Sequence, residues 1–232
     1  MNTQLLIPAA GMGTRLGAGG PKALVDLAGR PMLVRTLEQL APLGLTAQAV
    51  ILAPAGHVAD FEAVLASHFA ADAPIVLEGG AERQESVARG LDRLDPDTDI
   101  VAIHDAARPF VHPDTVQAAI DAAARYGAAT VAIPSADTIL VADPEDFLIE
   151  TPDRSRLWAC QTPQVFQVAV LREAHAQARE SGYLGTDDAT LACRTGHRVK
   201  LVPGTALNFK ITTPADLALA CCVVEKGLAS CA

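Results

Sequence analysis

The sequence predicts an α/β fold built as a three-layer, doubly wound, mostly parallel sheet, and three observations carry that expectation. Short apolar runs bounded by turn residues recur along the chain, longer amphipathic stretches separate them, and the first run opens into a glycine-rich loop. Alternation of this kind is the mark of βαβ units, whose ligands sit beyond the carboxyl ends of the strands where strand order switches. With 232 residues, 50% of them hydrophobic, the chain can fill the core of one large domain spanning residues 1–232.

In chain order, buried strands are expected at Leu5–Ala9, Ala49–Ala53, Ile75–Leu77, Ile100–Ile103 and Thr130–Ile133. Proline marks three helix starts, because its missing N–H costs nothing in a first turn. Pro31 begins a helix reaching about Leu40, Pro113 one running toward Tyr126, and Pro214 one entering the C-terminal segment. Between Pro134 and Gln164 the pattern changes: short apolar pieces alternate with turn residues, and the stretch holds four prolines. This excursion reads as a projecting β-hairpin arm over residues 134–158.

Charge and cysteine usage narrow the class. The formal net charge is -9, from 18 Lys+Arg against 27 Asp+Glu, which excludes the broad positive footprint of a nucleic-acid binder or a polybasic membrane anchor. No signal-like N-terminus or bilayer-length apolar run is present, so a cytoplasmic protein is expected. Cys160, Cys193, Cys221, Cys222 and Cys231 are odd in number and form no C-x-x-C pair, which favours reduced thiols and leaves no zinc spacing.

The stretch "LLIPAAGMGTRLGAGGPKALV" (Leu5 to Val25) is the strongest functional motif. Gly11, Gly13 and Gly17 fall one residue off the dinucleotide fingerprint, and Lys22 is followed by Ala23 rather than the Ser/Thr of a P-loop. What remains is a strand-to-loop switch where glycines admit backbone N–H groups to a ligand and Arg15 and Lys22 add fixed charge: a phosphate cradle. In "EGGAERQESVARGL", Gly79 and Gly80 allow close backbone approach, and a helix starting near Glu82 would put Arg83 and Ser86 on one face. "VAIHDAARPF" sets His104, Asp105 and Arg108 at the end of a strand. Asp105 there can hold a metal ion or a substrate hydroxyl, Arg108 offers a planar fork to oxyanions, and no nucleophile completes a hydrolase triad. Arg154, Arg156, Asp187 and Asp188, in "ETPDRSRLWACQTPQ" and "GTDDATLA", read equally well as solvated surface charges.

Taken together and in this order, "PAAGMGTRLGAGGPK", "EGGAERQESV", "HDAARPF", "RLWACQTPQVF", "TDDA" and "NFKITTPADL" resemble the 2-C-methyl-D-erythritol 4-phosphate cytidylyltransferase family over essentially the whole chain. The resemblance implies a Rossmann-like nucleotidyltransferase domain that moves CMP from CTP to a small polyol phosphate with Mg²⁺. It implies that Ala9, Ala10, Gly11, Gly13, Gly80, Arg83, Ser86 and Asp105 surround CTP, that Arg15 and Lys22 lie on its triphosphate, and that Lys210 sits near the reacting phosphates. It further implies that Asp105, Ala106, Arg108, Thr186 and Lys210 surround the polyol phosphate, while Thr138 and Arg154 reach it from the arm of a second subunit. The catalytic groups by this resemblance are Arg15, Lys22, Lys210 and Arg154, with Asp105 the residue nearest a metal. Two other readings stay open: a ribitol 5-phosphate cytidylyltransferase sharing these motifs, and a non-catalytic regulator sensing CTP.

The arm's own residues point the same way. A two-stranded projection is marginally stable unless something covers it. Ile139, Leu140, Val141, Phe147, Leu148 and Ile149 are expected to bury against a partner's arm in a two-fold homodimer.

Overall fold

Strand β1 (Thr3–Pro8) is the axis of the fold, and its alternating side chains explain the layers. Leu5 and Ile7 point into one apolar cluster and Leu6 into another, as a pleated strand with helices on both faces requires. The computed structural model describes residues 1–17, 19–69 and 73–228; Cys231 lies outside the described residues.

After β1 come a small ribbon of β2 (Asp26–Leu27) and β3 (Arg30–Pro31), then α1 (Met32–Leu40), β4 (Val50–Ala53), α2 (Val58–Phe69), β5 (Ile75–Glu78), α3 (Arg83–Leu91) and β6 (Ile100–Ile103). These give way to α4 (Pro113–Tyr126), β7 (Ala128–Pro134), the arm strands β8 (Val141–Ala142) and β9 (Leu148–Glu150), and β10 (Trp158–Gln167). The chain continues through α5 (Val168–Ser181), α6 (Asp188–Arg194), β11 (Val199–Pro203) and α7 (Pro214–Glu225). The main sheet runs β11-β7-β10-β6-β1-β4-β5, with β10 antiparallel to both neighbours and the other pairings parallel. Helices α1, α2 and α4 cover one face through residues such as Leu33, Phe61 and Val116, while α3, α5 and α6 cover the other through Val87, Leu171 and Leu191.

The five expected strands and three proline-started helices are present, with ends moved by one or two residues. The turn-rich stretch running to Gln164 does not all project: residues 158–167 re-enter the sheet as β10, between β6 and β7. The cause lies in the residue types: Gln161, Thr162 and Gln164 are polar yet buried, and Pro163 sits in a bulge where the register shifts between Cys160 and Gln164. A proline within a run normally argues against a central strand, and the bulge removes the need for its ladder donor.

A third cluster matters most for function. Leu16 from the glycine-rich loop and Ile211, next to Lys210, pack with Met32, Phe110 and Val223 of α7. Two segments far apart in sequence are thereby pinned to one wall, which sets Arg15 and Lys210 beside the carboxyl edge of the sheet. The Ile211 amide also donates to the Ala107 carbonyl at 2.9 Å, tying that wall to the loop after β6.

Candidate active site

The loops after β1, β5 and β6 open at the same edge of the sheet, as parallel strands dictate. Between them lies a cavity of about 350 Å³. Ala9, Ala10, Gly11, Gly13, Arg15, Lys22, Gly80, Arg83, Ser86, Asp105, Ala106 and Lys210 all line it.

The glycine-rich loop is shaped by its backbone. Gly13 has φ 66°, and a Cβ there would come within 3.0 Å of the Lys22 Cβ, so both the left-handed turn and the close packing need glycine. The Lys22 amide donates to the Gly11 carbonyl at 3.0 Å, closing the loop and aiming the lysine inward. Across the cavity, a Cβ on Gly80 would fall 2.4 Å from Glu85, while its N–H donates to Ser86 Oγ at 2.9 Å. The Ser86 hydroxyl in turn donates to the Glu82 carbonyl at 3.1 Å, so the first turn of α3 and the loop after β5 form one unit.

Asp105 is the electrostatic centre. Its Oδ2 accepts from Lys210 Nζ at 2.9 Å and lies 3.6 Å from Arg108 Nε, and its Oδ1 is 3.8 Å from Arg83 Nε. Burial alone would raise this carboxyl, but attraction to Lys210, Arg83 and Arg108 outweighs it and holds Asp105 well below the usual carboxylate range. Lys22 moves in the opposite sense to an ordinary paired lysine. Burial, then repulsion from Lys210 and Arg15, lowers it to about 8 against the pull of Asp105 and Asp216.

Behind this front wall a chain of polar contacts runs into the core. Arg83 Nη1 donates to Asp188 Oδ2 at 2.5 Å, and Asp188 Oδ1 lies 2.9 Å from His175 Nε2. Burial works against the Arg83 charge, but the Asp188 and Asp105 carboxylates push its pKa above the ordinary value. Asp188 is 1% exposed, which corrects its reading as a solvated surface charge. Asp187 has a structural task instead, capping α6 by accepting from the Thr190 amide. His175 was invisible in the motifs, although its place on the Leu171–Ala174–Ala178 stripe of α5 marks it as inward-facing.

Other expected site residues lie elsewhere. Arg108 is buried beside the cavity and gives its fork to the backbone carbonyls of Asn208 (2.7 Å) and Cys160 (3.3 Å) rather than to open space. His104 is clamped between Thr162 Oγ1 and the Arg108 carbonyl, both at 3.0 Å, and burial lowers it to about 4, so it is neutral. Thr186 is exposed just before α6. Thr138 and Arg154 lie on the arm, outside the cavity of their own chain, and Arg154 donates to the Ala136 carbonyl at 3.2 Å. Met12, Thr14, Ala81, Glu82 and Thr212 also line the cavity, and only their neighbourhood to the motifs could have flagged them.

Among the described residues no group of three or more His, Cys, Asp or Glu side chains is placed to hold a metal ion. The cleft instead offers Asp105, a hard carboxylate amid cations, with Glu82 elsewhere on its wall. That donor set fits a magnesium ion held mainly by substrate phosphates, since Mg²⁺ is commonly bound by one or two carboxylates plus phosphate oxygens.

Comparison with known proteins agrees along the whole chain. The sequence profile of the family described as 2-C-methyl-D-erythritol 4-phosphate cytidylyltransferase matches residues 3–226. A protein of that name from Deinococcus radiodurans is 48% identical over 218 residues, 94% of this chain and 88% of its own length. Its namesake from Caldanaerobacter subterraneus is 41% identical over 221 residues, 95% of this chain and 97% of its own. The crystal structure of the Thermus thermophilus enzyme of the same name superposes with a TM-score of 0.80 at 38% identity, covering 97% of this chain and 100% of that one.

Proposed function

The chain belongs to the 2-C-methyl-D-erythritol 4-phosphate cytidylyltransferase family, and we propose that it transfers CMP from CTP to 2-C-methyl-D-erythritol 4-phosphate in isoprenoid precursor synthesis, releasing pyrophosphate. The observation that carries this reading is the convergence of Arg15, Lys22, Arg83 and Lys210 with the glycine loops and Asp105 around one cavity in an otherwise acidic protein.

The chemistry needs no covalent nucleophile. The acceptor's phosphate monoester already carries an anionic oxygen, which attacks the α-phosphorus of CTP in line as pyrophosphate leaves. Charge accumulates on the non-bridging oxygens, so catalysis reduces to positioning and electrostatic stabilisation. Arg15 and Lys22 lie on the triphosphate, and Lys210, oriented by Asp105, faces the reacting phosphorus. The loops holding Ala9, Ala10, Gly11, Gly13, Gly80 and Ser86 receive the nucleoside. Magnesium would be held by the triphosphate with Asp105 as its protein ligand, where it would offset phosphate charge.

The acceptor half is completed by a second copy. The arm exposes Phe147 (65%), Leu148 (60%) and Ile149 (62%) together with Leu140, an apolar surface that a two-fold homodimer covers. The partner's arm would then bring Thr138 and Arg154 to the polyol phosphate, beside Asp105, Ala106, Arg108 and Thr186. The free thiols Cys160, Cys193, Cys221 and Cys222 are consistent with a cytoplasmic setting; no described helix is long and apolar enough to cross a membrane.

Pyrophosphate release is the direct test, run with CTP and 2-C-methyl-D-erythritol 4-phosphate, with CTP and ribitol 5-phosphate, and with CTP alone. Release that depends on the first acceptor supports the proposal. Faster release with ribitol 5-phosphate would transfer the assignment to that acceptor, and CTP binding without release under any condition would make the protein a sensor.

A further inference from the structure

The chain has four lysines, and their surroundings differ sharply. Lys200 and Lys226 are exposed and do not line the cavity, and Lys210 is paired with Asp105 at 2.9 Å. Lys22 alone combines a place in the cavity wall with an ammonium that no ion pair holds among the described residues. Its backbone is fixed against Gly11 and Gly13, while the cations Arg15 and Lys210 share the cavity wall. An anion site with a primary amine in its wall is set up for acyl transfer.

We propose that Lys22 is a covalent modification site for acyl phosphates, which dock their phosphoryl group in this cleft and acylate the Lys22 Nζ. The inference rests on the cleft being a phosphate cradle. In the step, the Nζ lone pair forms a bond to the acyl carbonyl carbon, and the bond from that carbon to the phosphate oxygen breaks. The electron pair leaves with inorganic phosphate, and the amine proton passes to water, giving a neutral amide. The lowered pKa of Lys22, about 8, supplies free amine near neutral pH. A bound phosphoryl dianion pulls that value back up, but holding amine and carbonyl together raises the rate by far more than the lost fraction of free base. The amide carries no charge, so acylated protein loses a cation from the triphosphate site, and CTP and acyl phosphate exclude one another.

The test incubates the intact protein with acetyl phosphate near pH 8 and follows acetylation of each lysine by peptide mass spectrometry, with and without CTP, while the untreated protein is assayed for CTP binding by calorimetry. The expected result is Lys22 acetylated about tenfold or more faster than Lys200 and Lys226, slowed by CTP and by Arg15→Ala, with unchanged rates at the two exposed lysines. CTP binding together with Lys22 acetylation no faster than at Lys200 and Lys226 would overturn the inference and leave the transfer function standing. Absence of both CTP binding and the Lys22 preference would remove the phosphate cradle itself.

Discussion

The cleft and the arm are built by opposite rules. Around the cleft, each charged group has a partner or a shaped surrounding: Asp105 faces three cations, Arg83 bridges two carboxylates, and Leu16 and Ile211 anchor the loops carrying Arg15 and Lys210. On the arm, apolar side chains face outward and Arg154 has only a backbone carbonyl. In the proposed reading the nucleotide half of the site is complete within one chain, whereas the acceptor half takes a partner's arm, whose apolar surface the chain does not cover for itself. Four perturbations separate these two kinds of construction.

The largest effect is expected behind the cleft. Asp188→Ala would leave Arg83 and His175 buried without their shared carboxylate, at a cost of about 3–5 kcal/mol. Urea unfolding checks this, and a loss under about 1 kcal/mol would mean the pair is solvated after all. No arm charge should approach that value in the same measurement.

Second in size is Lys22→Ala. Removing a cation matched to the developing phosphate charge is expected to cost about 2.7–4 kcal/mol in the transition state, or about 10²–10³ in kcat, with unfolding scarcely changed. Near-normal turnover would show that the cleft binds phosphate without working on it.

The two regions were also unequally legible in the sequence. The cleft's backbone could be read because its chemistry needs residue types with few other uses: glycines at Gly13 and Gly80, and cations in the loops that follow strands. Strand β10 escaped because burying Gln161 and Gln164 depends on partners such as Asn208 and Asp187, which are distant in sequence. The Arg83–Asp188–His175 chain escaped for the same reason, since exposure of a charge is a property of packing across α3, α5 and α6. Arg108 was recognised as important, but its fork is spent on two backbone carbonyls, an outcome no local pattern encodes.

For the arm, Arg154→Ala is expected to raise KM for the polyol phosphate by about 10- to 100-fold, the weight of one charge-assisted hydrogen bond, while CTP binding is unaffected. Mixing Arg154→Ala protein with Lys22→Ala protein then tests whose site the arm serves. If subunits share sites, exchange creates some with neither defect, and activity rises above that of either variant. Exchange without recovery would put Arg154 at no site of a partner, and the arm would be a dimerisation device only.

The smallest effect is one of pH, and it belongs to the cleft alone. Folding lowers Lys22 to about 8, because burial and the neighbouring Lys210 and Arg15 disfavour its charge. Over the window from about 8 to the ordinary lysine value the unfolded chain binds more protons than the folded one, so this residue's contribution makes stability rise with pH. Activity should run the other way, since the triphosphate needs the charged form. In the free enzyme, kcat/KM for CTP is expected to fall as pH rises through about 8, steepening toward about tenfold per pH unit. Lys22→Arg should flatten that fall, because guanidinium keeps its proton throughout the range. A profile that stays level in the wild-type protein from about pH 7 to pH 9.5 would mean that Lys22 is not the cation the triphosphate requires, and the burden would pass to Arg15 and Lys210.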